Sequence, residues 1–184
     1  MSGQSPSRDR PRRDPSLTTG REGGQGLVEF GLVLTPLLLI LLGVIQFGFI
    51  FNTHITASNA AREGGREGAT YVYDRQKTKA SNDFARNEAI KGSVLRSLDL
   101  ARKASPQFST GSWTQAGSTF TSGDLQVTYT IPAGIADSDT RRGQHVSVRV
   151  TYHQDLMIPL IATLLPRDAG GRLVLASEVT MVIR

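Results

Sequence analysis

Residues 30–51 read Phe-Gly-Leu-Val-Leu-Thr-Pro-Leu-Leu-Leu-Ile-Leu-Leu-Gly-Val-Ile-Gln-Phe-Gly-Phe-Ile-Phe, and Thr35 and Gln46 are their only clearly polar side chains. As an α-helix this stretch rises about 33 Å, close to the ~30 Å hydrocarbon thickness of a bilayer. It is read as a membrane-spanning helix. Upstream, residues 1–26 are mostly Ser, Arg, Pro, Asp and Gly with a lone Leu17, a composition that buries too little apolar area to offset the entropy of ordering. That arm holds Arg8, Arg10, Arg12, Arg13 and Arg21, whereas in the 20 residues after Phe51 Arg62 and Arg66 are balanced by Glu63 and Glu67. The asymmetry places the N-terminus in the cytoplasm and the rest of the chain on the far side of the membrane, periplasmic or extracellular.

The whole chain has 184 residues, enough for one modest domain with appendages. Of its net charge of +5 the arginine-rich arm carries +2, which leaves only +3 for the rest of the chain and argues for no nucleic-acid partner. Cysteine is absent, which excludes disulfide scaffolds, thiol catalysis and zinc-ribbon or iron–sulfur sites, and three histidines are few for a transition-metal centre. No metal or other cofactor is expected.

A cleaved signal peptide carries a shorter apolar region than this one, although Ser58-Asn59-Ala60 has the small residues a signal peptidase prefers. A plain single-span anchor explains the length but not Glu29, a carboxylate one residue before an unbroken apolar run, where an ion is costly unless solvated at the headgroups or paired. Gly23-Gly24-Gln25-Gly26-Leu27-Val28-Glu29-Phe30 resembles the type IV prepilin signature, in which a membrane aspartyl peptidase cuts after a glycine and a glutamate stands fifth in the product. Gln46-Phe47-Gly48 and Asn59-Ala60-Ala61-Arg62-Glu63-Gly64 are similar to the TadE-like family of minor pseudopilins of Flp, or tight-adherence, pili.

The resemblance implies processing between Gly24 and Gln25, with Glu29 and Phe30 in the assembly region and Glu29 pairing with the new α-amino group of a neighbouring subunit. It implies a prepilin peptidase, the major Flp pilin, a TadF-like sister pseudopilin, the inner-membrane assembly platform and membrane lipid as partners. The implied role is non-enzymatic: a minor pilin at the fibre tip or initiation complex, since the exported head of roughly 100 residues would crowd a whole fibre. The rivals are an unprocessed single-span surface protein and an anchored hydrolase.

The glycines around residue 24 predict an extended, cleavable backbone. Pro36 removes the partner of the Leu32 carbonyl and predicts a kink. Beyond the span, Ala57, Ala60, Ala61, Gly64 and Gly68 recur three and four apart and form a small face suited to close approach of another helix. Intersubunit pairing is one use for the flanking Arg62, Glu63, Arg66 and Glu67, and a solvated face the other.

The head reads as α+β. Ser81–Ala104 is a helix, capped by Asn82 or Asp83, whose Phe84, Ile90, Val94, Leu95, Leu98 and Ala101 share one side with Asp83 and Arg86 mostly elsewhere. Residues 105–123, rich in Ser and Thr, read as a loop in which Phe108, Trp113 and Phe120 pin to the core. Period-two patterns at 125–131, 146–152 and 179–183 give about three antiparallel strands, with the helix covering their apolar face in a pilin-like head. Residues 156–165, too short to span, cap the sheet in the simplest reading; dipping into the bilayer surface or meeting another pseudopilin are the alternatives. The domains are thus a leader at 1–24, span and stem at 25–73 and head at 74–184. His153-Gln154-Asp155 with Ser147, and Asp137-Ser138-Asp139, carry no hydrolase or metal motif.

Overall fold

The computed structural model describes residues 22–99, 108–158 and 165–184. The chain divides into two compact units, Met1–Leu41 and Leu42–Arg184. Helix α1 runs unbroken from Glu22 to Thr70 through Pro36. In the first unit its apolar side chains, among them Leu27, Phe30, Leu32 and Leu37, are exposed, as a lipid-facing helix requires. The helix continues through Pro36 without a break, so the missing N–H does not end the element.

In the second unit, helix α2 spans Lys79–Asp99. Its cap is Thr78, whose hydroxyl accepts from the Ser81 backbone N–H at 3.2 Å, and not Asn82 or Asp83 as expected. Asn82 instead closes the α1–α2 connection, accepting from the Asp74 backbone N–H and donating to the Asp74 carbonyl, both at 2.9 Å. The expected continuation to Ala104 lies beyond Asp99, outside the described residues.

Among the described residues, five antiparallel strands form a meander in the order β1 (Thr114–Ala116), β2 (Thr119–Ser122), β3 (Leu125–Thr130), β4 (His145–Gln154) and β5 (Leu173–Val182). The three strands expected from alternation are β3, β4 and β5; β1 and β2 correct the loop reading of 105–123. They are joined through two-residue turns, Gly117-Ser118 and Gly123-Asp124. Gly123 has φ +59°, and a Cβ there would run into the Ser109 carbonyl, so a glycine is required. β5, ten residues long, lies at the edge of the sheet.

The sheet face bearing Leu125, Val127, Val146, Val148 and Val150 is buried in one cluster with Ala57, Ala60 and Ala61 of α1 and Ile90, Val94 and Leu98 of α2. Phe120 packs edge-on to Tyr129, with ring centroids 5.8 Å apart. Phe108 and Trp113 pack against the same core, and the indole N–H of Trp113 donates to Glu88 Oε1 at 2.6 Å.

Candidate assembly site on the N-terminal helix

Gly24 and Gln25 lie in the first turn of α1, which corrects the extended backbone expected there. The first four N–H groups of a helix have no intrahelical partner, so this turn keeps free donors without being extended. Nothing approaches within 4 Å of a Cβ placed on Gly24 or Gly26, and the Gln25, Glu29 and Phe30 side chains are exposed. The Gly24–Gln25 bond and the Glu29 carboxylate therefore share two open helical turns ahead of the apolar run.

The small face of the stem is covered by this chain itself. A Cβ on Gly64 would lie 2.6 Å from Val94 Cγ2, and one on Gly68 would lie 2.7 Å from Ile90 Cδ1, with Val148 and Val146 of β4 next nearest. Ala57, Ala60 and Ala61 are buried beside them. The helix that closes on this face is α2. The charges alongside point outward: Arg66 pairs with Glu63 at 3.1 Å, both largely exposed, a contact contributing at most about 1 kcal/mol.

A buried polar network, which the sequence reading placed off the core face, ties α2 to the β3–β4 connection. Asp83 receives both arms of the Arg141 guanidinium, Nε at 2.7 Å and Nη2 at 2.8 Å. Burial alone disfavours the Arg141 charge, but the Asp83 carboxylate more than offsets this and raises its pKa above the ordinary value. Arg141 also stacks 4.3 Å from the Tyr129 ring centre. Arg86, 1 % exposed, lies 5.0 Å from the Tyr71 ring centre and 5.8 Å from that of Tyr129. Burial drives the Tyr129 phenol well above its usual pKa, so it stays protonated and donates to Asn87 Oδ1 at 2.7 Å. The buried stripe of α2 is thus Asn82/Asp83, Arg86/Asn87, Ile90, Ser93/Val94 and Leu98, while Phe84 and Leu95 face outward.

The histidine considered for hydrolysis is held elsewhere. His153 Nδ1 is 2.8 Å from Asp168 Oδ2, and Nε2 is 3.1 Å from Asp124 Oδ1. Both ring nitrogens are engaged by carboxylates. Ser147, six residues back along β4, stands about 20 Å away at strand spacing and shares a 2.6 Å hydrogen bond with Thr180. Asp168 is held down to about 2, chiefly by the Arg172 backbone N–H, against burial, and further by His153 and the Arg172 guanidinium. Asp137 binds Lys79 at 2.9 Å and Gln144 at 3.1 Å, and among the described residues no acidic or histidine cluster is arranged to hold a metal ion.

At the lower end of β4, Met157 donates its backbone N–H to Gln46 Oε1 at 2.8 Å and the Thr53 hydroxyl donates to Gln154 Oε1 at 2.6 Å. The polar residue inside the apolar run thereby has a partner in the chain. Among the described residues, the helix long and apolar enough to cross a membrane is the one at Gly24–Thr70, consistent with a single-pass membrane protein. Comparison with curated proteins and with solved structures gives no match. A model of the TadE-like protein family, which is associated with Tad pili, matches residues 24–66, so the membrane-length helix and small-residue stem of this chain are TadE-like.

Proposed function

We propose that this chain is a minor pilin of a Tad pilus, cut by a prepilin peptidase between Gly24 and Gln25, held in the membrane by residues 27–51 with its N-terminus inside, and built into the pilus tip or its initiation complex. The observation that carries this reading is that the TadE-like match begins at Gly24, where the open first two turns of α1 present Gln25 and Glu29 ahead of the apolar run. Removal of residues 1–24 frees an α-amino group, and the Glu29 carboxylate of a neighbour is its natural partner. A cation and an anion, each costly near hydrocarbon, cost less together, which favours one register of assembly. The major Flp pilin, a TadF-like pseudopilin and the inner-membrane platform are the partners this role calls for. The head performs no chemistry in this reading; its His153 and Asp83 clusters hold the fold.

Intact mass of the membrane-extracted protein, from cells with an active prepilin peptidase, tests the proposal. A product beginning at Gln25 supports it. A chain retaining its arginine-bearing arm refutes it and leaves an unprocessed single-span protein.

A further inference from the structure

Gln46 lies inside the apolar run and five residues before its end at Phe51, about 7.5 Å toward the middle of the run at 1.5 Å per residue. It is 1 % exposed, and its side-chain carbonyl receives the backbone N–H of Met157. Two turns further along the same face, Thr53 binds Gln154. These two bonds, seven residues apart on α1, fasten the end of β4 and the bend Leu156-Met157-Ile158 against the last turns of the apolar run. The Met157 side chain is nevertheless 65 % exposed, beside a helix whose Val44, Phe47 and Phe51 are exposed as well.

We propose that the bend Leu156-Met157-Ile158 is a second membrane contact, seated at the boundary between headgroups and acyl chains of the bilayer that α1 crosses, with Met157 reaching lipid. The proposal rests on the reading of residues 30–51 as a membrane span. Its occupant follows from depth: a backbone hydrogen-bonded to Gln46 sits at the level of Gln46, and a span that places Phe51 near the hydrocarbon edge places Met157 inside it. Lipid removes an exposed methionine from water, and the bond to Gln46 satisfies a backbone N–H that would be orphaned at that depth. The head would then meet the bilayer at two points, which restrains its tilt against the membrane plane.

The chain has no cysteine, so single substitutions give unique labelling sites. Full-length Met157→Cys, Val44→Cys and Val72→Cys variants, each carrying an environment-sensitive nitrobenzoxadiazole label, are reconstituted into phosphatidylcholine vesicles. Quenching is compared between nitroxides on the lipid acyl chains and aqueous iodide. The proposal expects lipid quenching to exceed iodide quenching several-fold at 157 and at 44, with shallow nitroxides more effective than deep ones at 157, and iodide to dominate at 72. Ile158→Cys, on the same bend, repeats the measurement independently. Iodide dominance at 157 with lipid dominance at 44 overturns the second contact and leaves the span standing. Iodide dominance at 44 as well overturns the span and this inference with it. Shielding of 157 from both quenchers means that protein covers the bend, and also overturns the proposal.

Discussion

Adding one methyl group to the stem separates the two uses of its small face. In Gly64→Ala the new Cβ falls 2.6 Å from Val94 Cγ2 and 3.3 Å from both Ile90 Cγ2 and Val148 Cγ1, against an optimal carbon separation of about 3.5–4.0 Å. All three neighbours are β-branched and stiff at χ1, so relief requires α2 or β4 to move, at an overpacking cost of about 1–3 kcal/mol. Alanine in place of glycine returns about 1 kcal/mol of helix propensity. With three rigid neighbours the clash wins, and a net loss of up to about 2 kcal/mol is expected. Gly65→Ala, one residue along, puts its Cβ 3.5–3.6 Å from Met181, an ordinary contact with a flexible thioether. Here propensity wins and stability rises by up to about 1 kcal/mol. The assay is equilibrium urea unfolding of the detergent-solubilised full chain, followed by the emission of Trp113, the single tryptophan. Midpoint shifts of the same sign for both variants refute the packing argument. An unchanged midpoint for Gly64→Ala with loss of pili shows instead that the face serves a neighbouring subunit.

Asp83→Ala strands the Arg141 and Arg86 guanidiniums in the core and is expected to cost about 3–5 kcal/mol in the same unfolding assay, whereas loss of a solvated surface pair would cost under 1. Glu29→Ala leaves membrane insertion intact, read by carbonate extraction, and lowers assembled pili on sheared-surface immunoblots; normal piliation removes the pairing role. Because the folded-state pKa of Asp168 is depressed to about 2 from 3.8, its stabilising effect is fully present above about pH 4 and is lost as pH falls toward 2. Asp168→Asn should therefore flatten the acid limb of the stability–pH curve between those values, and an unchanged limb refutes the assignment. Gln46→Leu should weaken the hold on the Met157 backbone and speed amide exchange at Met157, while exchange in β3 stays unchanged.

The elements read most directly from the sequence are those whose signal is local. Twenty-two nearly uniformly apolar residues specify the membrane-length part of α1, and alternation specifies β3, β4 and the end of β5, whose first residues Leu173-Val174-Leu175-Ala176 do not alternate. β1 and β2 are hidden because they are only three and four residues long and β2 is mostly Thr and Ser, yet Gly117-Ser118 and Gly123-Asp124 between them and β3 are the hairpin signal that exposes them. The capping of α2 went to Thr78 because the chain needed Asn82 to close the preceding turn. Its buried face is not legible locally for a different reason: Asp83 and Arg86 are buried only because Arg141, Tyr71 and Tyr129 meet them, and a partner 58 residues away leaves no trace in local periodicity. The proposed processing and pairing residues, by contrast, were legible as a compact motif around residue 24. The covering of Gly64 and Gly68 was not, since a small-residue stripe states that something comes close without stating what.

The stem supplies one wall of the head's core, and that dictates where the chain can be shortened. A soluble fragment starting after Thr70 would leave Ile90, Val94 and Val148 facing water where Ala57, Ala60 and Ala61 now lie, so it should be recovered as aggregate or as a loosely ordered species. Trimming no further than Leu42 keeps every residue of that wall, at the expense of retaining a sticky helical stub for detergent to cover. The same dependence makes the stem a template: the later residues find a ready-made surface on which to condense.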